Sequence, residues 1–434
     1  MSTLLIHGGR VIDPKSGLDR VTDVAIRGGE IAAIGDGLPR NGADRVVDAS
    51  GCMVMPGLID PHVHLREPGQ EHKETIETGS RAAAAGGFTS LCCMPNTSPA
   101  LDTPELVRFV YDRGERADCR VFPVAAATRG RKGEELTEFQ LLTRAGAVGF
   151  SDDGDCIASA GMMARVLAMC AHVGRVFMQH AQEPTMTRGG VMHAGPLAAR
   201  LGLGGWPREA EEVIVERDVR LARKAGAAYH VQHISSGETV EIIRRARASG
   251  VRVTGEASPH HLHLTHELCD GYNTMGKVNP PLRERRDIDA LRAGVADGTI
   301  TVLGTDHAPH SEDEKALPFE EAPFGFIGLE SAVPLYAEAL VASGAIEWPR
   351  LVALLTTEPA KLCGLDRQGL GTLAAGGPAD VTVFDPGFGW KLAPYDLKGR
   401  SRNTPFMGRV MRGRCVLTVC RGVVTSDSTA VRIA

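Results

Sequence analysis

The chain has 434 residues, of which 43% are hydrophobic and 23% charged, and its formal net charge is −5. This composition is that of an ordinary globular protein of two or three domains, or of one barrel with an attachment, and it argues against a nucleic-acid-binding surface. No apolar run reaches the about 18 residues of a membrane span, and the N-terminus lacks the features of a signal peptide.

The ten cysteines are scattered without a C-x-x-C pair. We therefore predict buried free thiols in a reducing cytoplasm rather than disulfides or a cysteine metal site.

Both ends of the chain have the pattern of short strands. Before residue 56 these are "LLIHGGRVID", "DVAIRGGEIAAIG" and "DRVVDASGCMVMPG", and near the C-terminus "ADVTVFDPG" and "FMGRVMRGRCVLTVCRGVVT". We predict one small β-sandwich built from residues 1–55 and 361–434. Two separate β flaps are the alternative, which the sequence alone does not exclude.

The middle of the chain, residues 56–360, alternates apolar runs with helical patterns. There are eight runs: "LIDPHVHL", "FTSLCCMPN", "RVFPVAAAT", "AVGFSDDG", "RVFMQHAQE", "AYHVQHIS", "VRVTGEASPHH" and "ITVLGTDHAPH". Strand–helix alternation over about 300 residues predicts an α/β fold, a TIM-type (β/α)₈ barrel. An open doubly wound sheet is the alternative, which the absence of a G-x-G-x-x-G or P-loop pattern weakens.

The runs end in side chains that can bind a metal ion, and a barrel gathers such strand ends at one mouth. His62 and His64 lie two residues apart, so on a strand both imidazoles point toward one cation. In "GFSDDG", adjacent carboxylates point opposite ways, so only one of Asp152 and Asp153 is expected to be a ligand. By itself Asp-Asp-Gly is also ordinary turn sequence.

Later runs add further candidates. His180 ends the fifth run, and in "YHVQHIS" we favour His233 as the ligand and His230 as a structural residue. Asp306 at the end of the last strand suits a proton shuttle. The tract that follows the seventh run is expected to serve mainly in loop packing: His260, His261, His263 and His266.

Four imidazoles and two carboxylates without sulfur favour Zn²⁺, which Co²⁺ or Mn²⁺ could replace. Six ligands are more than one tetrahedral zinc uses. They suffice for two metals that share a bridging carboxylate, for which Asp153 is the candidate.

The segments "DPHVHLREPG", "MPNT", "KVNPPLR" and "TDHAPH" resemble the amidohydrolase superfamily, in its cyclic amidase branch, and within it the dihydroorotase family. The resemblance covers essentially the whole chain. It implies zinc-dependent, reversible cyclisation of N-carbamoyl-L-aspartate to L-dihydroorotate in de novo pyrimidine biosynthesis. The implied metal ligands are His62 and His64 at the more buried metal, His180 and His233 at the other, and Asp306, which contacts the buried metal and moves the proton.

One feature departs from the superfamily pattern. Many members bridge their metals with a carbamylated lysine, but this chain has no lysine between Lys132 and Lys224. It resembles instead the dihydroorotase class in which an aspartate takes this place, and the spacing makes that residue Asp153 rather than Asp152. The departure leaves open whether one zinc or two are bound.

The resemblance also implies how the dianionic substrate is held. Arg66 has the planar fork that suits a carboxylate, whereas Asn96 lies in "PNTSP", which is also plain turn sequence. The acidic, Pro-rich segment 311–326 is either a mobile lid or a solvated loop. The implied substrate-binding residues are His64, Arg66, Asn96, Asn279, His310, Phe324 and Gly325.

Two other functions stay open. A sister cyclic amidase of the hydantoinase or allantoinase type would act on rings without the carboxylate that Arg66 suits. A non-catalytic scaffold of aspartate transcarbamoylase would lack metal ligands, and this chain keeps all the candidates. From the resemblance, a homodimer and association with aspartate transcarbamoylase are possible partnerships; a nucleic acid or membrane partner is not expected.

Overall fold

The computed structural model describes residues 3–429, and the two ends of the chain form one eight-stranded sheet. The N-terminal part supplies β1 (Thr3–Asp13), β2 (Leu18–Arg27), β3 (Glu30–Gly35), β4 (Arg45–Asp48) and β5 (Met53–Pro56). The C-terminal part supplies β16 (Val381–Lys391), β17 (Val410–Cys420) and β18 (Val423–Asp427). Alternating apolar residues such as Ile6, Val54, Val381 and Leu417 build a common hydrophobic cluster.

The strand order is β18–β17–β16–β5–β1–β2–β3, with β4 beside β1. The two ends are joined at β5, which pairs in parallel with β1 and antiparallel with β16. The alternative of two separate flaps is therefore wrong. The boundaries at residues 55 and 360 stay predictions; the chain passes from this sheet to the next at Gly57.

The second eight-stranded sheet is an almost closed parallel barrel. Its strands, paired in chain order, are β6 (Leu58–Val63), β7 (Phe88–Cys93), β8 (Arg120–Ala126), β9 (Gly149–Ser151), β10 (Val176–Gln179), β13 (Tyr229–Val231), β14 (Val253–Ala257) and β15 (Val302–Leu303). The first and last strands meet where the His64 amide donates to the His307 carbonyl at 2.9 Å. The predicted (β/α)₈ barrel is confirmed, and the open doubly wound sheet is wrong.

Helices of seven or more residues follow most barrel strands: α1 (Ile76–Ala85), α2 (Pro104–Gly114), α3 (Phe139–Ala145), α4 (Ala160–Val173), α7 (Glu209–Ala225), α8 (Gly237–Ala248), α10 (Arg285–Ala296), α13 (Trp348–Leu355) and α14 (Thr357–Cys363). Their ends follow local rules, since Thr75 caps α1 with its side chain and Gly226 ends α7 in the left-handed conformation.

The remaining helices and strands are short. They are α5 (Pro184–Thr187), β11 (Met192–His193), α6 (Pro196–Leu201), β12 (Gly205–Trp206), α9 (Pro259–His263), α11 (Glu312–Lys315) and α12 (Ala332–Tyr336). Within residues 3–429, no helix is long and apolar enough to cross a membrane. All ten cysteines are free thiols and nine are buried, as predicted.

Candidate metal centre and active site

All six predicted metal ligands lie at the carboxyl ends of barrel strands. His62 is the second-last residue of β6, and His64 directly follows that strand. The other four lie just after later strands: Asp153 after β9, His180 after β10, His233 after β13 and Asp306 after β15. The barrel therefore brings together residues that are up to 244 positions apart in the chain, between His62 and Asp306. All six side chains are buried.

Asp153 lies at the centre of the cluster. Its Oδ1 is 3.4 Å from His62 Nε2, 3.5 Å from His180 Nδ1 and 3.7 Å from His233 Nε2, and its Oδ2 is 3.6 Å from His64 Nε2. The donors fall into two groups able to hold a metal ion, and Asp153 belongs to both. One group adds His62 and His64, and the other adds His180 and His233.

The donor geometry fits metal ions. Ligand atoms around a tetrahedral Zn²⁺ lie about 3.3 Å apart, given bonds of about 2.0–2.1 Å. Two of the central atoms, His62 Nε2 and Asp153 Oδ1, are buried without a hydrogen-bond partner. Buried polar atoms are rarely left so, and a cation would satisfy both. The nitrogen and oxygen donor set, without cysteine, suits zinc.

The first group is supported by Glu256 on β14. Its carboxylate is 2.9 Å from His62 Nδ1 and accepts the His233 backbone amide at 3.1 Å, so Nε2 of His62 is left for a metal. A Cβ at Gly304 would lie 2.7 Å from the Glu256 carboxylate, so glycine is needed there. Gln232 also lies 3.3 Å from His62 Nδ1.

Asn96, predicted to bind the substrate, also supports two of the predicted metal ligands. Its Oδ1 is 2.8 Å from His64 Nδ1, and its Nδ2 donates to Asp153 Oδ2 at 3.3 Å. It orients one imidazole and the shared carboxylate at once, while it still lines the cavity.

The second group is supported by a neutral amide. Gln182 Oε1 is 2.8 Å from His180 Nε2, which leaves Nδ1 of His180 to face Asp153 and His233. The same Gln182 oxygen accepts a hydrogen bond from Asn279 Nδ2 at 3.0 Å. Because the Nδ2 end of the amide faces Gln182, Asn279 Oδ1 points away from Gln182, and it has no hydrogen-bond partner.

The charges in the cluster perturb one another. Burial opposes the imidazolium, but the carboxylates of Glu256 and Asp153 raise the pKa of His62 well above its ordinary value. Burial likewise opposes ionisation of Asp153, yet the neighbouring His62 and His180 hold its pKa well below the ordinary value. Without metal, the site therefore keeps protons on imidazoles that a metal must displace.

Asp306 lies beside the first group. Its Oδ1 is 3.0 Å from His64 Nε2 and 3.6 Å from His62 Nε2. Burial opposes its ionisation, but the hydrogen bond from His64 and the charge on His62 lower the pKa of Asp306 to about 2. Asp306 and His233 have positive φ of 50° and 30°, and such strained residues cluster at functional sites.

Asp152 is separated from the metal cluster, as the strand alternation predicts. Its Oδ1 accepts the backbone amides of Ala127 at 2.9 Å and Thr128 at 3.0 Å, and its Oδ2 accepts the Thr128 hydroxyl. Burial raises its pKa to about 6 against these hydrogen bonds. Asp152 thus ties the end of β8 to the end of β9.

A cavity of about 290 Å³ opens beside the cluster, and all the predicted substrate-binding residues line it: His64, Arg66, Asn96, Asn279, His310, Phe324 and Gly325. Arg66 is buried, with Nε donating to the Pro309 carbonyl at 3.1 Å and Nη2 3.2 Å from His310 Nε2. No carboxylate pairs with Arg66 within residues 3–429, and burial lowers its pKa to about 10.

The capping loop, residues 311–326, closes one side of the cavity. It is held by two buried lysines that the sequence reasoning missed. Lys277 Nζ donates to the carbonyls of Phe319 at 2.6 Å and Glu320 at 2.9 Å, and Lys315 Nζ donates to that of Pro323 at 2.9 Å. The loop is therefore anchored here, and the interpretation of a plain solvated loop is wrong.

The end of the loop faces the predicted substrate grip. The Phe324 carbonyl oxygen is 2.8 Å from His310 Nε2, and the Phe324 ring packs edge-on against Trp206 of β12. Gly325 has φ of 123°, and a Cβ there would lie 2.7 Å from that of Ala308. Glycine is thus required where the loop backbone borders the cavity.

The remaining histidines lie outside the donor groups. His230 is 2.8 Å from the Thr254 hydroxyl and 3.4 Å from Glu256. The histidines that follow β14 mostly contact backbone carbonyls. His261 Nε2 is 3.0 Å from the Pro280 carbonyl oxygen, and His263 Nε2 is 2.8 Å from that of Leu335. The supporting role of Glu256 was not predicted from the sequence. A sign of it was present, because this charged residue interrupts the apolar run "VRVTGEASPHH".

Comparison with known proteins gives matches over nearly the whole chain. A family model described as Dihydro-orotase-like matches residues 51–239. A protein named dihydroorotase from Pelotomaculum thermopropionicum is 47% identical over 429 residues, which cover 99% of this chain and 100% of the relative. One from Geobacter sp. (strain M21) is 46% identical over 422 residues, which cover 97% of this chain and 98% of the relative.

Solved structures of related enzymes share the fold. An L-hydantoinase (dihydropyrimidinase) from Arthrobacter aurescens superposes with a TM-score of 0.88 at 27% identity, covering 99% of this chain and 97% of that one. A dihydropyrimidinase from Brevibacillus agri gives a TM-score of 0.85 at 25% identity, covering 98% and 95%. The superpositions cover both the barrel and the sheet formed by the two ends of the chain, because they extend over 98–99% of this chain.

Proposed function

The chain belongs to the dihydroorotase family and is a cyclic amide hydrolase, and we propose that it opens and closes the ring of L-dihydroorotate beside two metal positions, for both of which Asp153 would be a ligand. The proposed reaction is the reversible cyclisation of N-carbamoyl-L-aspartate to L-dihydroorotate and water, a step of de novo pyrimidine biosynthesis. The proposed metal is zinc.

The observation that carries the proposal is that two metal-binding donor groups and one unpaired guanidinium meet at the same cavity. Asp153 belongs to both metal-binding groups, and Arg66, a buried guanidinium without a carboxylate partner in the described chain, lines the same cavity. A substrate that presents an amide to the metals and a carboxylate to the guanidinium fits this arrangement.

The metal positions differ in their ligands. His62, His64 and Asp306 would hold one ion, and His180 and His233 the other, with Asp153 shared. When bound, zinc lowers the pKa of a water molecule and polarises the amide carbonyl. The site supports one or two ions per chain.

The organic part of the substrate is held by the side of the cavity away from the metals. Arg66 would pair with the ring carboxylate, and Asn279 Oδ1, which has no partner in the protein, would accept a ring N–H. Burial and the charge on Arg66 keep the pKa of His310 well below its ordinary value, so its ring is neutral. Phe324 and Gly325 of the capping loop would exclude water from this side.

Asp306 is the proposed proton shuttle. Its carboxylate, with a pKa of about 2, stays ionised at neutral pH and can take a proton from the attacking water. The same carboxylate then delivers the proton to the leaving ring nitrogen, and ring closure follows this path in reverse. Asp306 Oδ1 lies 3.0 Å from His64 Nε2, so the carboxylate sits beside the donors of the first group.

Ring closure consumes a proton, because one carboxylate of N-carbamoyl-L-aspartate becomes an amide and water leaves. We expect the equilibrium to shift toward the ring as pH falls. The ratio of the two compounds at equilibrium, measured between pH 6 and 8, checks the reaction assignment. A ratio independent of pH would contradict it.

The second candidate is hydantoinase activity, which the likeness to solved hydantoinase and dihydropyrimidinase structures favours. Hydantoins and dihydropyrimidines lack the ring carboxylate, so Arg66 would contribute little to their binding. The 44–47% identity to proteins named dihydroorotase favours the first candidate.

The deciding experiment measures turnover of L-dihydroorotate and of 5,6-dihydrouracil, with metal content, on wild type and Arg66→Met. Loss of Arg66 is expected to lower kcat/KM for dihydroorotate by about 10²–10³-fold, because a desolvated charge-assisted pair is lost. Arg66→Lys is the control: it keeps the charge but loses the fork, so its loss is expected to be smaller. Faster turnover of dihydrouracil than of dihydroorotate by wild type would refute the proposal.

Three predictions about the surroundings of the enzyme are part of the proposal. A homodimer and association with aspartate transcarbamoylase follow from the family resemblance alone, and a cytoplasmic location follows from the scattered cysteines without a C-x-x-C pair. Co-purification with aspartate transcarbamoylase at equal stoichiometry tests the second. The non-catalytic scaffold is disfavoured by the intact set of metal donors.

A further inference from the structure

A second cavity, of about 600 Å³, lies at the opposite end of the barrel from the active site. Arg175 directly precedes β10, Arg252 directly precedes β14, and Thr301 directly precedes β15, so the cavity borders the amino ends of the strands. We name it the basal cleft and define it by its polar lining: Arg175, Arg247, Arg252, Thr301, Lys361 and Arg367.

The basal cleft is strongly cationic on an acidic protein. Five cationic side chains and one carboxylate line it, whereas the chain as a whole has a net charge of −5. The carboxylate, Glu358, is already paired with Lys361 at 3.1 Å. Within residues 3–429, no carboxylate lies in ion-pair distance of the four arginines. The positive potential is therefore not neutralised by the protein itself.

Two residues that line the cleft each have a buried polar atom without a partner. Arg175 Nε and the Thr301 hydroxyl both lack a hydrogen bond, and Thr301 is only 8% exposed. A donor left unpaired at a buried position is costly unless something else satisfies it. The guanidinium fork and the hydroxyl are both suited to phosphate oxygens.

The remaining walls are apolar. Val148, Val176, Val253 and Leu362 line the cleft between the cations. The volume of the cleft is about twice the 290 Å³ of the active-site cavity, so it accommodates a ligand larger than the small dianion proposed there. Cations beside apolar walls are typical of sites that hold phosphates together with an organic ring.

We propose that the basal cleft binds an anion that carries two or more phosphate groups and an apolar ring, the chemistry of a nucleoside polyphosphate. Its arginines hold the phosphates and its valines and leucine contact the ring. The site is separate from the metal centre and does not depend on the reaction proposed there. Thr254, which also lines the cleft, is linked to His62 through His230 and Glu256.

The test is calorimetric titration of the metal-loaded protein with ATP, and separately with inorganic tripolyphosphate. ATP is expected to bind with a Kd below about 1 mM, more tightly than tripolyphosphate, and more weakly as salt rises from about 50 to 200 mM. Equal affinity for the two probes would overturn the assignment of a ring-bearing ligand.

Two charge-reversal variants complete the test. Arg247→Glu is expected to weaken ATP binding by about tenfold or more, because an attraction becomes a repulsion. Arg165→Glu, on the exposed face of α4 and outside the cleft, is expected to bind like wild type. Removal of metal by the phosphates would affect all three proteins equally. Unchanged affinity in Arg247→Glu, or no binding by wild type, would overturn the proposal.

Discussion

The metal side and the loop side of the active-site cavity both bury ionisable groups, but the partners that offset the cost of burying these groups differ. On the metal side, imidazoles and carboxylates lie within 3.0–3.7 Å of one another and are fixed by partners on neighbouring strands. On the loop side, the ammonium groups of Lys277 and Lys315 pair with backbone carbonyls and aromatic rings, and no carboxylate of the described chain lies in ion-pair distance of either.

The contrast indicates a division of roles. The metal-side groups depend on an added cation to balance their charge, so changes there should alter metal binding and chemistry. The loop-side lysines only hold the backbone that borders the substrate, so changes there should alter KM more than kcat. The pKa of Lys315 on the loop side is lowered, whereas the pKa of His62 on the metal side is raised.

The largest effect is expected for Asp153→Ala, which removes the carboxylate common to both donor groups. We expect the metal content to fall and kcat/KM for dihydroorotate to fall by about 10³-fold or more, because water activation is lost. Elemental analysis and a turnover assay measure this.

The neighbouring variant Asp152→Asn is the matched control. It should keep metal content and lower the Tm instead, since Asp152 only ties Thr128 and Ala127. The opposite result, with metal lost in Asp152→Asn and kept in Asp153→Ala, would contradict the assignment of the bridge.

A smaller effect is expected for Glu256→Gln. The amide keeps the size of the side chain but removes the negative charge that orients His62. We expect metal affinity at the first position to fall by about 10–100-fold, as is usual for partners behind a metal ligand. Competition with a chelator measures it.

Gln182→Leu provides the comparison within the metal side. It removes the partner of His180, so the second position should lose its metal while the first keeps it. Equal loss from both positions in either variant would show that the two groups are not separately supported.

On the loop side, Lys315→Met is expected to raise KM for dihydroorotate by about tenfold with a smaller change in kcat. The Pro323 carbonyl loses its donor, so the capping loop is held less firmly. Lys224→Met, an exposed residue at the end of α7, should leave both constants unchanged. A fall in kcat without a rise in KM would contradict a positioning role.

The smallest effect is a pH dependence of that loop. Burial and repulsion from Lys277 lower the pKa of Lys315 to about 7, and burial lowers that of Lys277 to about 8. As pH rises from 6.5 to 9, both lose positive charge near an anionic substrate, so KM should rise by about threefold. Lys315→Met should show a flatter profile.

The same pKa shifts act on stability in the opposite sense. Between about pH 7 and 10 the folded protein binds fewer protons at these lysines than the unfolded chain, whose lysines have ordinary pKa values. Their contribution to the free energy of unfolding therefore rises with pH. Denaturant unfolding of wild type and Lys315→Met across this range measures the difference.

Much of the site could be predicted from the sequence because strand ends in a barrel converge by topology. The H-x-H pair and the "TDHAPH" run were recognisable as candidate ligands from local spacing. The alternation of side chains on a strand predicted that only one of Asp152 and Asp153 faces the site, and the family resemblance indicated Asp153. The supporting residues were harder to find, since Glu256 and Gln182 act on ligands of other strands.

The sequence by itself determined the alternation of strands and helices, the Gly and Thr residues that cap the helices, and the set of candidate metal donors, because these depend on local periodicity and side-chain chemistry. Tertiary structure alone decided that Asn96 supports two candidate ligands, that Lys277 and Lys315 lie beneath the capping loop, and that arginines from three segments share the basal cleft. Such contacts join residues distant in the chain, and no local pattern encodes the distance between them.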